Sequence, residues 1–344
     1  MLALSKRIEA FNRLGDCLSA ELALAESSWI NTLTNQAKIK NGWFEKREVL
    51  HALEYWSLTL DTENLSTWLN SNNVSDSVSR LNIGLILAGN IPMVGFHDIL
   101  STMLVGHRAM IKMSTNDDVI IPELLEKLTE ITPEMSDNYA VVDRLTDYQA
   151  VLATGSNNSA RYFEQYFSHV PMVIRKNRTG VAILGGDESE DDLNGLMKDC
   201  FQYFGLGCRN VTKLYLPENY ELNKIFSASL PFTYLMDNKK YVNNYTYHKA
   251  LMMMERISVL ENQLIMMRED PSLFSPVSVL NYEFYRNEEE LSELIKSKLD
   301  SVQCVIGKKQ TPFGQGQKPR LSDFSDGINT LEFMQNLEAV QLPN

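Results

Sequence analysis

At residue 83 the periodicity of the chain changes, and no other feature limits its fold as much. Before that point apolar residues recur at helical spacing. Leu4, Ile8, Phe11, Leu14, Leu18 and Leu22 form one stripe, with Lys6, Arg7, Glu9 and Arg13 between them. The first 75 residues read as mainly helical, with Trp29, Trp43, Trp56 and Trp68 in or near the packing face. Beyond residue 83, short apolar runs alternate with helical stretches. A strand run at residues 83–88 is broken by Gly89-Asn90-Ile91-Pro92, and a helix follows at about 95–105. The strand at 107–113 ends in Ser114-Thr115-Asn116-Asp117-Asp118, a polar cluster expected to cap a helix beginning near Pro122. Another strand ends in Ala153-Thr154-Gly155-Ser156, and Asn157 opens the next helix.

A second block repeats the alternation. It comprises a strand at 181–184 closed by Gly185-Gly186-Asp187, a helix at 189–204 and a strand at 211–216. A Met-rich helix is expected over 245–267, then strands near 277–283 and 302–306 around a helix at 288–299. Such alternation implies an α/β fold with mostly parallel, helix-covered sheets, whose ligands sit at the carboxyl ends of the strands. The basic connector Arg175-Lys176-Asn177-Arg178 marks the expected boundary; as charged loop residues they could meet an anionic carrier or simply solvent.

The 344 residues suit two medium domains, and 44% hydrophobic with 22% charged residues is ordinary for a globular enzyme. Four cysteines without paired short spacings form neither a disulfide framework nor a zinc site, so no metal is expected and a reducing cytoplasm is the natural setting. A net charge of −12 argues against nucleic-acid binding. No stretch is apolar for long enough to span a bilayer, and the amphipathic first helix is no signal peptide.

Cys200 lies on the stripe Leu193, Leu196, Met197, Phe201, Phe204 and reads as core. Cys208 follows that stripe in Gly205-Leu206-Gly207-Cys208-Arg209-Asn210, beside Arg209 and near Lys213, where positive charge favours a thiolate. A structural loop cysteine is the plain alternative. Asn90, in a turn after a strand, is either an ordinary turn residue or a donor to an oxyanion. Thr154-Gly155-Ser156 opens a helix and can approach a phosphate, though the full dinucleotide fingerprint is missing. Lys112, with Ser114 and Thr115, could meet an adenosine ribose or its phosphate, or solvent alone. Met252, Met253, Met254, Met266 and Met267 read as core or as the lining of an acyl tunnel.

The order of these features resembles the aldehyde-dehydrogenase superfamily and, within it, the LuxC-type acyl-CoA reductases. The resemblance covers residues 80–335, including Ser275-Pro276-Val277 and Pro312-Phe313-Gly314-Gln315-Gly316. It implies an aldehyde-dehydrogenase-like fold. A helical N-terminus and Rossmann-type NADP-binding domain would occupy residues 1–180 and an α/β catalytic domain 181–311. Residues 312–344 would return to the cofactor domain or form an oligomer interface, with a strand at 329–334 serving homo-oligomerisation.

Carried over, the resemblance makes Cys208 the acyl-accepting nucleophile and Asn90, with the Cys208 N–H, the oxyanion hole. Gly155 and Ser156 would lie by the cofactor pyrophosphate and Lys112 by the adenosine ribose, and Ser114, Thr115, Thr154, Gly185 and Gly186 would belong to the same cofactor set. Ile183 would replace the glutamate that activates water in hydrolytic relatives, and Ser272-Leu273-Phe274-Ser275-Pro276 would replace their nicotinamide-ribose motif. Thr115 stands where a glutamate often selects NAD, which favours NADPH over NADH. The implied reaction is NADPH-dependent reduction of acyl-CoA or acyl-protein to the aldehyde, with an acyl-protein synthetase or acyltransferase as a partner. An acyl-phosphate reductase and a silent nucleotide-binding or carrier-binding scaffold are the rival readings.

Overall fold

The computed structural model describes residues 2–76 and 79–337. The chain divides into two compact units, Met1–Lys176 with Arg320–Asn344, and Asn177–Pro319. The first unit opens with helices α1 (Leu4–Ala23), α2 (Ser28–Lys40), α3 (Lys46–Thr59) and α4 (Thr62–Ser71). Phe11, Leu14 and Leu18 of α1 are fully buried, as the helical stripe requires. Trp56 and Trp68 are buried, and Trp56 meets Phe96 edge-on at 4.8 Å between ring centroids. Arg7 departs from the expected polar face. It is fully buried, and its guanidinium donates to Asp76 at 2.6 Å, so a paired cation occupies a place on the inner side of α1.

The alternating segment follows as β1 (Asn82–Ile86), α5 (Phe96–Val105), β2 (Arg108–Lys112), α6 (Ile120–Ile131), β3 (Tyr139–Val141), β4 (Ala150–Thr154), α7 (Asn157–Tyr166) and β5 (Met172–Arg175). Among the described residues these strands form one parallel sheet in the order β3-β2-β1-β4-β5. In its register Ile86 lies beside both Lys112 and Ala153, so the carboxyl ends of the three central strands stand level. Gly106 ends α5 at φ 109°, a left-handed conformation that glycine adopts without strain. Val119 precedes α6 without a side-chain cap of its own, and the Asp117 carboxylate of the polar cluster meets the N–H of Ile120 at the helix start while accepting the Met93 N–H at 3.0 Å, tying the β2–α6 loop to the turn after β1.

The second unit contains β6 (Thr179–Ile183), α8 (Glu190–Phe201), β7 (Val211–Pro217), α9 (Asn223–Ser229), α10 (Lys239–Met254), β8 (Leu260–Glu261), β9 (Met266–Glu269), β10 (Val279–Tyr285), α11 (Glu288–Lys296) and β11 (Val302–Ile306). The described strands run β11-β6-β7-β10-β9-β8, all parallel except β8 against β9. A capping box of Ser189 and Asp192 starts α8. The Met-rich helix is shorter than its composition suggests. It ends at Met254, where Arg256 turns at φ 56°, and Met266 and Met267 are buried in β9 rather than on a helix.

Beyond Arg320 the chain belongs to the first unit, where α12 (Thr330–Gln335) packs on α5. Residues 329–334 therefore form no strand. Asn329 accepts the N–H groups of Leu331 and Glu332, and this N-cap commits the segment to a helix. Among the described residues no helix is long and apolar enough to cross a membrane.

Candidate active site

Cys208 occupies the second position of the turn Gly207-Cys208-Arg209-Asn210, closed by the Asn210 N–H donating to Gly207 at 3.1 Å. Asn210 is fully buried and organises the turn through its side chain. Its Oδ1 accepts the Gly207 N–H at 2.7 Å, while its Nδ2 donates to the carbonyls of Asp199, Cys200 and Gln202 at 2.9, 3.3 and 3.0 Å. Those carbonyls end α8, so one amide neutralises a helix terminus and sets the position of the half-buried cysteine that follows it. The Asn210 carbonyl accepts from Gly180 at 2.9 Å, which attaches the turn to β6.

The approach to the turn is strained. Tyr203 and Phe204 have φ of 55° and 56°, and Gly205 continues at 76°. Left-handed backbone at two aromatic residues costs on the order of 1–3 kcal/mol each and persists only where packing enforces it. Here both rings are buried, Phe204 against Tyr241 at 6.2 Å.

Asp199, on the same end of α8, holds the Pro312-to-Gly316 loop. Its carboxylate accepts the Gly314 and Gly316 N–H groups at 2.6 and 2.8 Å, and Arg209 Nε donates to the Gly316 carbonyl at 2.6 Å. Burial pushes the Asp199 carboxyl up to about 6, against the downward pull of those two N–H donors. Lys213 is not available to Cys208 as a loose cation. It is fully buried and pairs with Glu283 at 2.8 Å across β7 and β10. Cys200 is core, as its stripe indicates, and burial raises its thiol well above the ordinary value. Among the described residues no group of His, Cys, Asp and Glu is placed to hold a metal.

Gly185, Gly186 and Ile183 do not join Cys208. Gly180 pairs with Val211 and Ile183 with Tyr215, so Cys208 lies beyond the amino end of β7 while Ile183, Gly185 and Gly186 lie at the carboxyl end of β6. The separation along the strands alone is roughly 13 Å. Ile183 therefore does not stand where a base would activate water at Cys208, and its apolar side chain carries no information about hydrolysis there. The Gly185 and Gly186 N–H groups both donate to the Glu188 carboxylate, at 2.5 and 3.2 Å, so the glycine turn holds a side chain of its own unit.

In the first unit the other expected residues gather at the carboxyl edge of the sheet. Asn90 is exposed just after Gly89, whose Cβ position would lie 2.6 Å from Ser114 Oγ, so the Asn90 turn packs on the Ser114 loop. Thr154 ends β4, and Ser156 caps α7 by accepting the Ser159 N–H at 3.2 Å. A Cβ on Gly155 would meet Ser159 Cβ at 2.9 Å, so only glycine lets this strand-to-helix turn close. Lys112 and Thr115 are exposed, and Lys112 lines a cavity of about 680 Å³ with Arg144, Leu145 and α7. Asn90 and Cys208 belong to different units.

The sequence reading missed Asn210, Asp199, Arg144 and a buried ion pair of Arg175 with Asp98. Only Asp199, an acid set within an apolar helix stripe, carried a visible signal.

This fold is that of the aldehyde dehydrogenases. A Pseudomonas syringae indole-3-acetaldehyde dehydrogenase aligns with a TM-score of 0.64 at 11% identity, covering 89% of this chain and 72% of that one. The NAD+ complex of a Bacillus cereus aldehyde dehydrogenase gives 0.63 at 11% identity over 89% and 72%. An NAD-dependent aldehyde dehydrogenase from Sinorhizobium meliloti gives 0.63 at 11% identity over 89% and 70%. No curated protein matches the sequence significantly. The family model of the LuxC acyl-CoA reductases matches residues 18–198, more than half of the chain, and the protein belongs to that family. Cys208 lies beyond the matched span.

Proposed function

We propose that this protein reduces a fatty acyl thioester, carried on coenzyme A or on a protein, to the aldehyde, with NADPH as reductant and Cys208 as nucleophile. The observation that carries the reading is the side-chain-clamped turn that presents Cys208 at the end of α8, in a member of the LuxC acyl-CoA reductase family. A clamped turn keeps a nucleophile in one orientation, and orientation is where much of the rate of such reactions originates. The Cys208 thiolate attacks the thioester carbonyl, the carrier thiol leaves, and the acyl group remains on sulfur. NADPH, when bound, supplies the hydride that reduces this acyl group. Collapse of the Cys208 hemithioacetal then releases aldehyde and restores the thiolate. Asn90 is proposed as a side-chain donor to the oxyanion, a role worth on the order of 10²–10³ in rate.

A nicotinamide cofactor is supported by the NAD-linked neighbours on this fold. The residues at the sheet edge suit one: Ser156 caps α7 directly after the strand β4, where a helix start can meet phosphate, and the exposed Lys112 has no acidic neighbour at Thr115 to repel a ribose phosphate. That last feature favours NADPH.

The test is NADPH oxidation with acyl-CoAs of graded length, comparing the parent protein with Cys208→Ala and Cys200→Ala. Activity should be lost in the first variant, by at least about 10³-fold, and kept in the second. Full activity in Cys208→Ala would overturn the mechanism.

A further inference from the structure

The second unit holds a cavity of about 670 Å³ at the edge of its sheet opposite the Cys208 turn. Ile183 and Tyr285, the last residues of β6 and β10, line it together with Val305 of β11. These strands belong to the parallel part of the sheet, so the cavity lies at its carboxyl edge, where such sheets hold ligands. Its other wall is α11. Leu291 and Ile295, one turn apart, line the cavity from that helix, yet no residue of α11 is buried. Ile183 and Val305 are likewise only half-buried. A helix that rests on a sheet without burying a side chain leaves apolar surface on both sides of a gap. The hydrophobic effect favours an apolar occupant over water there, and the volume is that of a small-molecule site.

The rim supplies the charge. Lys308 pairs with Asp187 at 2.9 Å and Lys309 with Glu288 at 2.7 Å, so these two pairs are neutral. Lys296, one residue beyond Ile295, also lines the cavity, and among the described residues it has no hydrogen-bond or ion-pair partner. The lining is therefore one positive charge in excess, in a chain whose formal net charge is −12.

We propose that this cavity binds a monoanionic amphiphile, an apolar chain ending in one carboxylate, with the chain between α11 and the sheet and the carboxylate at Lys296. One carboxylate balances the excess charge, whereas a phosphate monoester would carry nearly two. The site is separate from the Cys208 turn and does not rest on the reductase reading.

Calorimetric titration of the whole protein with dodecanoate, below its micelle-forming concentration, tests it. Dodecyltrimethylammonium is the probe of reversed charge, and butanoate the probe that lacks most of the chain. The parent should bind dodecanoate at least about fivefold more tightly than the cationic probe and about 100-fold or more above butanoate. Hydrogen exchange across α11 should slow when dodecanoate is added. Lys296→Glu, at an exposed position, should weaken dodecanoate by at least about fivefold and strengthen the cationic probe, and Leu291→Trp, which fills the gap, should abolish both. Indifference to the head charge, parental affinity in both variants, or protection of another segment in place of α11 would overturn the proposal. Slow exchange at α11 without any probe, growing with protein concentration, would place a second copy in the cavity and overturn it as well. None of these readouts needs turnover, so loss of the Cys208 chemistry would leave them unchanged.

Discussion

The side-chain oxygen of Asn210 accepts the N–H of Gly207 at 2.7 Å, so the residue that closes the Cys208 turn also grips the residue that opens it. The same amide satisfies three carbonyls at the end of α8. Asn210→Ala removes the partner of the Gly207 N–H and a donor shared by the three carbonyls, of which Asp199 keeps the Gln317 amide at 3.4 Å, and stranded buried polar groups cost about 1–3 kcal/mol each before relaxation. A loss of about 3–5 kcal/mol in urea unfolding is expected, with slower alkylation of Cys208 by iodoacetamide under native conditions. A loss below about 1 kcal/mol would mean the clamp bears no strain.

Asp199 makes stability depend on pH. Burial raises its carboxyl to about 6 in the folded protein, while an unfolded aspartate titrates near 3.9. Between those values the folded chain holds a proton that the unfolded chain has released, so stability falls as pH rises from about 4 to 6. The total is about 3 kcal/mol, and the curve flattens above that window. Subtracting the unfolding free energy of Asp199→Asn from that of the parent isolates the effect. The difference should shrink by about that amount between pH 4 and pH 7; a constant difference would refute the assignment.

Gly195 lets α8 approach the Pro312-to-Gly316 loop. A Cβ there would sit 2.8 Å from the Phe313 carbonyl carbon and 2.9 Å from Gly314 N, and backbone cannot yield as a side chain does. Gly195→Ala is expected to destabilise by about 1–3 kcal/mol and to expose the loop to proteolysis. Protection equal to the parent's would show that the loop accommodates the methyl group.

Arg175 and Asp98 form an ion pair whose side chains are 8% and 5% exposed. Removing one partner of a buried pair costs about 3–5 kcal/mol, chiefly because the other charge is left buried. Arg175→Met should therefore lower the unfolding free energy by that amount, and Arg175→Met with Asp98→Leu should recover most of it. Equal losses in the single and double variants would show that packing, not charge, holds this place.

The alternating half of the fold was legible because parallel strands buried on both faces read as short apolar runs. Residues 83–88 and 211–216 became β1 and β7 within a few residues. Short strands such as β3 and β5 carry too few residues for a pattern to emerge. The segment at 329–334 was misread because its apolar residues suit a strand, while the deciding signal was the Asn329 cap. The turn around Cys208 was visible as glycines flanking a cysteine. Its holder was not, because Asn210 acts by reaching back across eleven positions to Asp199. Gly185 and Gly186 show a related limit: a glycine pair announces available N–H groups, not what occupies them, and here Glu188 accepts both.

The run from Tyr203 to Asn210 joins α8 to β7 with its backbone already spent on left-handed turns and its last side chain tied back to the helix. Such a connector acts as a ruler of fixed length. One inserted residue between Phe204 and Asn210 would put the amide out of step with the helix end and turn the thiol away from its place. The turn between Met254 and Leu260 is largely exposed and meets the sheet through the apolar packing of Ile257 and Val259, which tolerates a change of spacing better than a hydrogen-bonded clamp, so libraries that vary loop length belong there.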